Sequence, residues 1–546
     1  MLVASNGPLE GLISAEVQKS GGIAGSDFLT FPDFQSDFTN FGSSDLQSFL
    51  LAAADPPTSY DLAETIEVQF TTAITDKAAE LENDPLKIYE WVRNNIEFVP
   101  TYGSIQGADY CLQTKQCNAI DTASLLIALL RVSGIHARYV EGTVEIPIEK
   151  VMNWLGGFTD KMEALNLLAS AGVPVSGMLV GGEIEYARIE HVWVEAWIDY
   201  FPARGARHQA GQGDTWIHLD ASFKQYNYTQ GIDIQSAVPF DAQTFIDQIQ
   251  ATATINEEEG YVTDVDSLLI NNTMTDYQTQ VENYINTNYP EATVGDVLGK
   301  KEIIPQEFPY LLGTLPYRTI VKGTEYAEVP DGMRHKITFN VKKDIYDDLM
   351  GTPINITKSL PELAGKKVTL SYSPATQADE DVVNSYLPKP HEDGTPIDPS
   401  ELPTALAAYL INLKPELRID GEVVATGTEI GMGATEEFRM TFIDPYAGAD
   451  IISNDIQAGE YLGIGIDLGR ISEEQMLAVK SKLEGTKTKL EAEDFTNMTK
   501  DDILGDLLYT TAISYFAEHD AIDHVSSWKM GVEAIRLPSE TIFQRY

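Results

Sequence analysis

The sequence predicts an α+β protein whose helix-and-strand core lies over residues 61–230. Three observations predict it. Ile120–Val132, IDTASLLIALLRV, is apolar nearly all round, the mark of a buried helix. Segments 135–146, 189–199 and 215–220 alternate apolar and polar residues as half-buried strands do. Residues 315–445 break into short alternating runs such as HKITFNV, KKVTLSY and EEFRMTF between turn residues, which reads as a separate β-rich domain over 311–450.

In chain order, residues 1–60 are rich in Gly, Ser, Asp and Phe and read as a loosely structured arm. Residues 61–82 carry a helical stripe of Leu62, Ile66, Phe70, Ala73 and Ile74. Asp84 caps a second helix with Pro85 at its first position and Ile88, Trp91, Val92 and Ile96 on its apolar face. A loop from Tyr102 to Gln116 leads to the buried helix, which Gly134 ends. A helical insert over 149–172 separates the first core strand from the second, and a polar Gly-containing stretch joins the second to the third. Residues 231–310 read as an acidic helical linker, Leu402–Leu413 as a helix inserted among strands, and 451–546 as mainly helical.

The 546 residues carry 83 acidic against 37 basic side chains, a formal charge of -46. Such a surface repels nucleic acid and anionic membranes, so neither is expected as a partner. No run of 18 or more apolar residues exists to insert in a membrane. The opening MLVASNGPLEGLISAEVQ lacks a basic stretch followed by an apolar one. Acidity, few cysteines and many Tyr, Asn and Thr lean towards an exported protein, periplasmic or extracellular, whose signal is absent from this chain; a cytoplasmic location is the alternative. Nothing in the sequence bears on oligomeric state.

The two cysteines, Cys111 and Cys117, do not make a disulfide framework. Cys117 precedes the buried helix, where unpaired N–H groups and the helix dipole favour a thiolate and can hold an oxyanion. His191 lies on the strand EHVWVEAWIDY and Asp220 ends the strand DTWIHLD. If the two strands pair antiparallel with positions summing to 411, His191 faces Asp220 and Glu195 faces Trp216. That register is inferred from the candidate triad. A thiol, an imidazole and an orienting carboxylate are the parts of covalent acyl catalysis, and Cys117, His191 and Asp220 supply them in chain order. The triad reading expects the Cys117 sulfur beside a ring nitrogen of His191.

The stretch from Cys117-Asn118 through LLIALLRVSGIHARYVEGT, then EHVWVEAW and TWIHLDASFK, resembles the bacterial transglutaminase-like superfamily. Arg131, Gly134, Ile135 and Arg138 match its turn and strand. The resemblance implies a papain-like α+β core with a Cys117–His191–Asp220 triad, and no cofactor. Gln116 departs from a common Gly, and His136 from a common Pro. The implied function is thiol-dependent acyl chemistry on the peptide or carboxamide bonds of a protein or peptide substrate, as a peptidase, amidase or crosslinking transglutaminase. Gln113, Gln116 and Trp193 are candidate oxyanion or substrate contacts. The rival reading is a non-catalytic binding or structural module of a larger exported protein.

Weaker candidates read blandly. Cys111 lies in a loop with no dipole to activate it, and Asp199 is too far along the His191 strand to reach the ring. His519-Asp520 and Asp523-His524 fit a solvated helix face better than a metal site. Asp379-Glu380-Asp381 lacks the ordered spacing of a calcium loop.

Overall fold

The computed structural model describes residues 56–545 apart from 202, 207–211, 258–259, 390, 393–396 and 531–536. The arm expected over 1–60 falls almost wholly outside the described residues. The buried helix forms over Ala119–Val132, one residue earlier than its apolar run, because Asn118 is the N-cap and its side chain accepts from Asp121 N–H. Gly134 follows in the left-handed region at φ 78° and closes the C-terminus. The Arg131 guanidinium, buried at that end, donates to the carbonyls of Ala63, Ala137 and Ala327 and so ties three segments to the helix.

This central helix packs on a five-stranded antiparallel sheet. Glu183–Ile198 is its spine. Ala137–Pro147 pairs along one edge, and Val175–Val180 and Thr215–Leu219 share the other. The outermost strand, Arg318–Tyr326, pairs with Ala137–Pro147 and comes from the segment read as part of the β-rich region. Gly142, paired with His191, is where that strand crosses: a Cβ there would stand 2.3 Å from the Val321 carbonyl oxygen.

Three local expectations are corrected. The helix read over 61–82 is confined to Thr72–Glu80, capped by Thr71. Before it the chain runs irregularly to bury Val68 and the side chain of Glu67, which pairs with Arg334. The loop read over Tyr102–Gln116 contains a helix, Gly107–Thr114. Instead of the Leu402–Leu413 helix there is a short 3-10 turn, Ala408–Leu410, and then the strand Asn412–Ile419. Pairing of that strand with Val368–Pro374 outweighs local helix preference.

The region beyond 330 is β-rich. A four-stranded sheet built on Lys336–Lys342 and Thr435–Asp444 faces a six-stranded one built on Val368–Pro374, Asn412–Ile419 and Tyr461–Asp467. Phe339, Leu370, Leu417, Phe438 and Leu462 fill a single apolar cluster between them. The C-terminal region is helical over Glu473–Glu491 and Asp506–Met530, but it ends in a strand, Ser539–Arg545, that joins the larger sheet. Among the described residues, no helix is long and apolar enough to cross a membrane.

Candidate functional site

His191 and Asp220 meet. The imidazole Nε2 lies 3.0 Å from Asp220 Oδ2, and both side chains are almost fully buried. The strand register differs from the expected one by two: Glu195 pairs with His218, Trp197 with Trp216, and Asp220 stands just past the strand end. A two-residue shift keeps every side chain on its face of the sheet, so the carboxylate still reaches the ring.

Three further groups hold this pair, none of them singled out from the sequence. Ser222 donates its hydroxyl to Asp220 Oδ1 at 2.7 Å, and the Ser222 hydroxyl oxygen also lies 3.2 Å from His191 Nε2. Tyr317 donates to Asp220 Oδ2 at 2.7 Å. Burial, reinforced by the Asp220 charge, pushes the Tyr317 hydroxyl far above the usual phenol range, so it stays a donor. Tyr89 donates to the Asp220 backbone carbonyl. Trp154 stands edge-on to the imidazole and stacks against Phe98. Ser222 could have been sought two residues past the Asp, where a hydroxyl can bond back to the carboxylate. Tyr317 lies 97 positions downstream of Asp220 and leaves no local signal.

Burial alone would raise the Asp220 pKa. The charge of His191 and hydrogen bonds from His191, Ser222 and Tyr317 outweigh it and hold the group at about 2, below its ordinary 3.8. A carboxylate with a depressed folded pKa contributes stability above its unfolded pKa, and loses it as the pH falls through the folded one. Asp220→Asn is therefore expected to remove about 2 kcal/mol of stability at neutral pH. The difference from wild type should shrink as pH drops from about 4 towards 2, read by urea unfolding across that range.

With Nε2 turned to Asp220, the neutral imidazole carries its proton there and leaves Nδ1 as an acceptor. Among the described residues Nδ1 has no hydrogen-bond partner, and His191 lines a narrow cavity of about 30 Å³. Its walls include Phe98, Tyr102 and Trp154, with the half-buried Glu141 and Glu190. The central helix contributes Ala119, its first residue, and Ile120. This space admits water or the tip of a small polar group.

Cys117 is not part of that lining. It lies in a two-residue parallel bridge with Glu97–Phe98, fully buried, and its sulfur is bonded to Cys111 on the Gly107–Thr114 helix. The expected free thiol beside His191 is therefore corrected to a buried disulfide. The physical reason is the cap: Asn118 takes the boundary position, so the helix residues that share the cavity with His191 are Ala119 and Ile120, neither of which has a nucleophile. The other expected contacts are likewise absent from the cavity lining. Gln113 hydrogen-bonds Asp109, Gln116 hydrogen-bonds Glu97, and buried Trp193 donates to His218 Nδ1. Among the described residues, no group of three or more metal-capable side chains comes together.

Residues 68–221 match the Transglutaminase-like superfamily and form a domain of that kind. Such domains are typically enzymes with thiol peptidase or amidase chemistry. No curated protein and no solved structure matches the chain.

Proposed function

We propose that the transglutaminase-like domain of this chain is a recognition module, which keeps the His191–Asp220 pair of a thiol enzyme and performs no acyl transfer through Cys117. The observation that carries this reading is that Ala119, not a thiol, lines the cavity with His191, while both cysteines are consumed by one disulfide. Thiol chemistry requires a free thiolate beside its imidazole, whereas the Cys117 sulfur is bonded to Cys111 and does not line the cavity that His191 lines. The groups facing the cavity from His191, Glu141 and Glu190 all accept hydrogen bonds, which suits a donor such as an amine or amide of a peptide or protein partner. The disulfide supports an oxidising, exported setting.

A second reading, an enzyme with Cys117 as nucleophile, draws on the intact His191–Asp220 pair. It requires the disulfide to open and the sulfur to leave the apolar cluster it now occupies. Alkylation separates the two. The native, unreduced protein is expected to take up no iodoacetamide, whereas a Cys117 adduct that depends on His191 would favour the enzyme.

A further inference from the structure

A second cavity, of about 360 Å³, lies behind Asp220, between the Pro85–Asn95 helix, the end of the Thr215–Leu219 strand and residues 306–316. Its volume is in the range of small-molecule sites. No carboxylate side chain lines it, although the chain carries a net charge of -46. Three basic side chains do: Arg93, Lys150 and His218.

Arg93 is only 4% exposed. Its Nη1 donates to Asn94 Oδ1 and to the Ile304 carbonyl, both neutral. Among the described residues Nε and Nη2 have no hydrogen-bond partner, and no carboxylate stands within ion-pair distance; Asp220 acts on the guanidinium only from further away. Lys150 is exposed and likewise has no ion pair among the described residues. His218 accepts from Trp193 Nε1 at its Nδ1, so its neutral ring presents Nε2–H as a donor. Burial lowers the His218 pKa and favours that neutral form, while Glu195 stands 3.4 Å from the same Nδ1. A buried guanidinium without a counter-charge is costly, and a bidentate carboxylate matches its fork. The rest of the wall is apolar and aromatic: Tyr89, Phe223 and Phe308, with Tyr89 and Phe308 rings 5.7 Å apart.

We propose that this cavity binds an organic carboxylate with a flat apolar body, its carboxylate on Arg93 with Lys150 and His218 at hand, and its body between Tyr89, Phe223 and Phe308. The ligand can be a free aromatic carboxylate or the C-terminal residue of a peptide; both present the same chemistry. The inference stands independently of the recognition reading of the His191 cavity.

The test is calorimetric titration of the full chain with phenylacetate, with a tripeptide ending in Phe, and with that tripeptide as its C-terminal amide. Binding of at least one carboxylate and none of the amide is expected. Phenylacetate alone assigns a free small molecule; the tripeptide alone assigns a chain terminus. Arg93→Met should weaken the binding about tenfold or more. The exposed Lys150→Ala keeps the experiment readable if the Arg93 variant does not fold, and should weaken binding to a smaller degree. Failure of both carboxylates to bind, equal binding of the amide, or indifference to Lys150→Ala together with Arg93→Met overturns the proposal.

Discussion

Ala119→Cys is expected to create a thiol that iodoacetamide labels rapidly near neutral pH in the otherwise untouched, unreduced protein. Position 119 is the first residue of the central helix and lines the cavity that His191 lines. A sulfur there has both influences that favour thiolate, the N-terminal N–H groups and a neighbouring imidazole, which together lower a thiol pKa from about 8.5 to between about 3.5 and 7.5. At pH 7 the thiolate fraction then rises from a few per cent towards most of the population, about tenfold or more in rate. Adding His191→Ala should return the rate towards that of an unactivated thiol. Asp220→Asn should have a smaller effect, since that carboxylate orients the ring more than it charges the sulfur. If the new thiol reacts no faster than an unactivated one, position 119 does not face His191, and the reading of the cavity fails.

Arg334→Ala is expected to destabilise the fold by about 3–5 kcal/mol, measured as a lowered urea midpoint. Glu67 is fully buried and bound through both oxygens, Oε1 to Arg334 Nε at 2.6 Å and Oε2 to Nη2 at 3.1 Å. Burial raises the Glu67 pKa, and Arg334 opposes that rise. Deleting the guanidinium leaves an unpaired carboxylate with no solvent, the expensive half of a broken buried pair. The bond also joins the segment before the first core helix to the entry of the β-rich region, where Ser104 N–H donates to the Met333 carbonyl and His335 N–H to that of Ser104. A double change, Glu67→Gln with Arg334→Met, removes both charges and should recover part of the loss. A single variant as stable as wild type would mean that the two elements are not held by this pair.

The helix-and-sheet core was legible because its signals are local. An apolar run followed by a Gly stop names the Ala119–Val132 helix, and period-two alternation names the His191 and Asp220 strands. The His191–Asp220 pairing survived a wrong register because an error of two leaves the face unchanged. Two positions at the entry to a helix do not have that tolerance. Cys117 and Ala119 are two residues apart, yet one points into the core beside Cys111 and the other lines the His191 cavity. The signal that decides between them was present as Asn118 with Asp121 three residues on, an N-cap pattern that sets the first helical residue at 119. The spacing of Cys111 and Cys117 admitted a disulfide once a helix was recognised between Gly107 and Thr114. By contrast, Tyr317 on Asp220 and the Arg318–Tyr326 strand on the core sheet come from distant sequence. Only tertiary pairing brings them there, so composition and period could not announce them.

The central claim, that the cavity before His191 holds no nucleophile because Cys117 is tied to Cys111, is tested most directly by alkylating the native protein with iodoacetamide and reading its intact mass and cysteine-containing peptides. The account predicts no adduct without reductant, a Cys111–Cys117 linked peptide on digestion, and adducts on both cysteines only after reduction under unfolding conditions. A single adduct on Cys117 of the unreduced protein, formed quickly at neutral pH and lost in His191→Ala, would contradict it and restore the thiol enzyme.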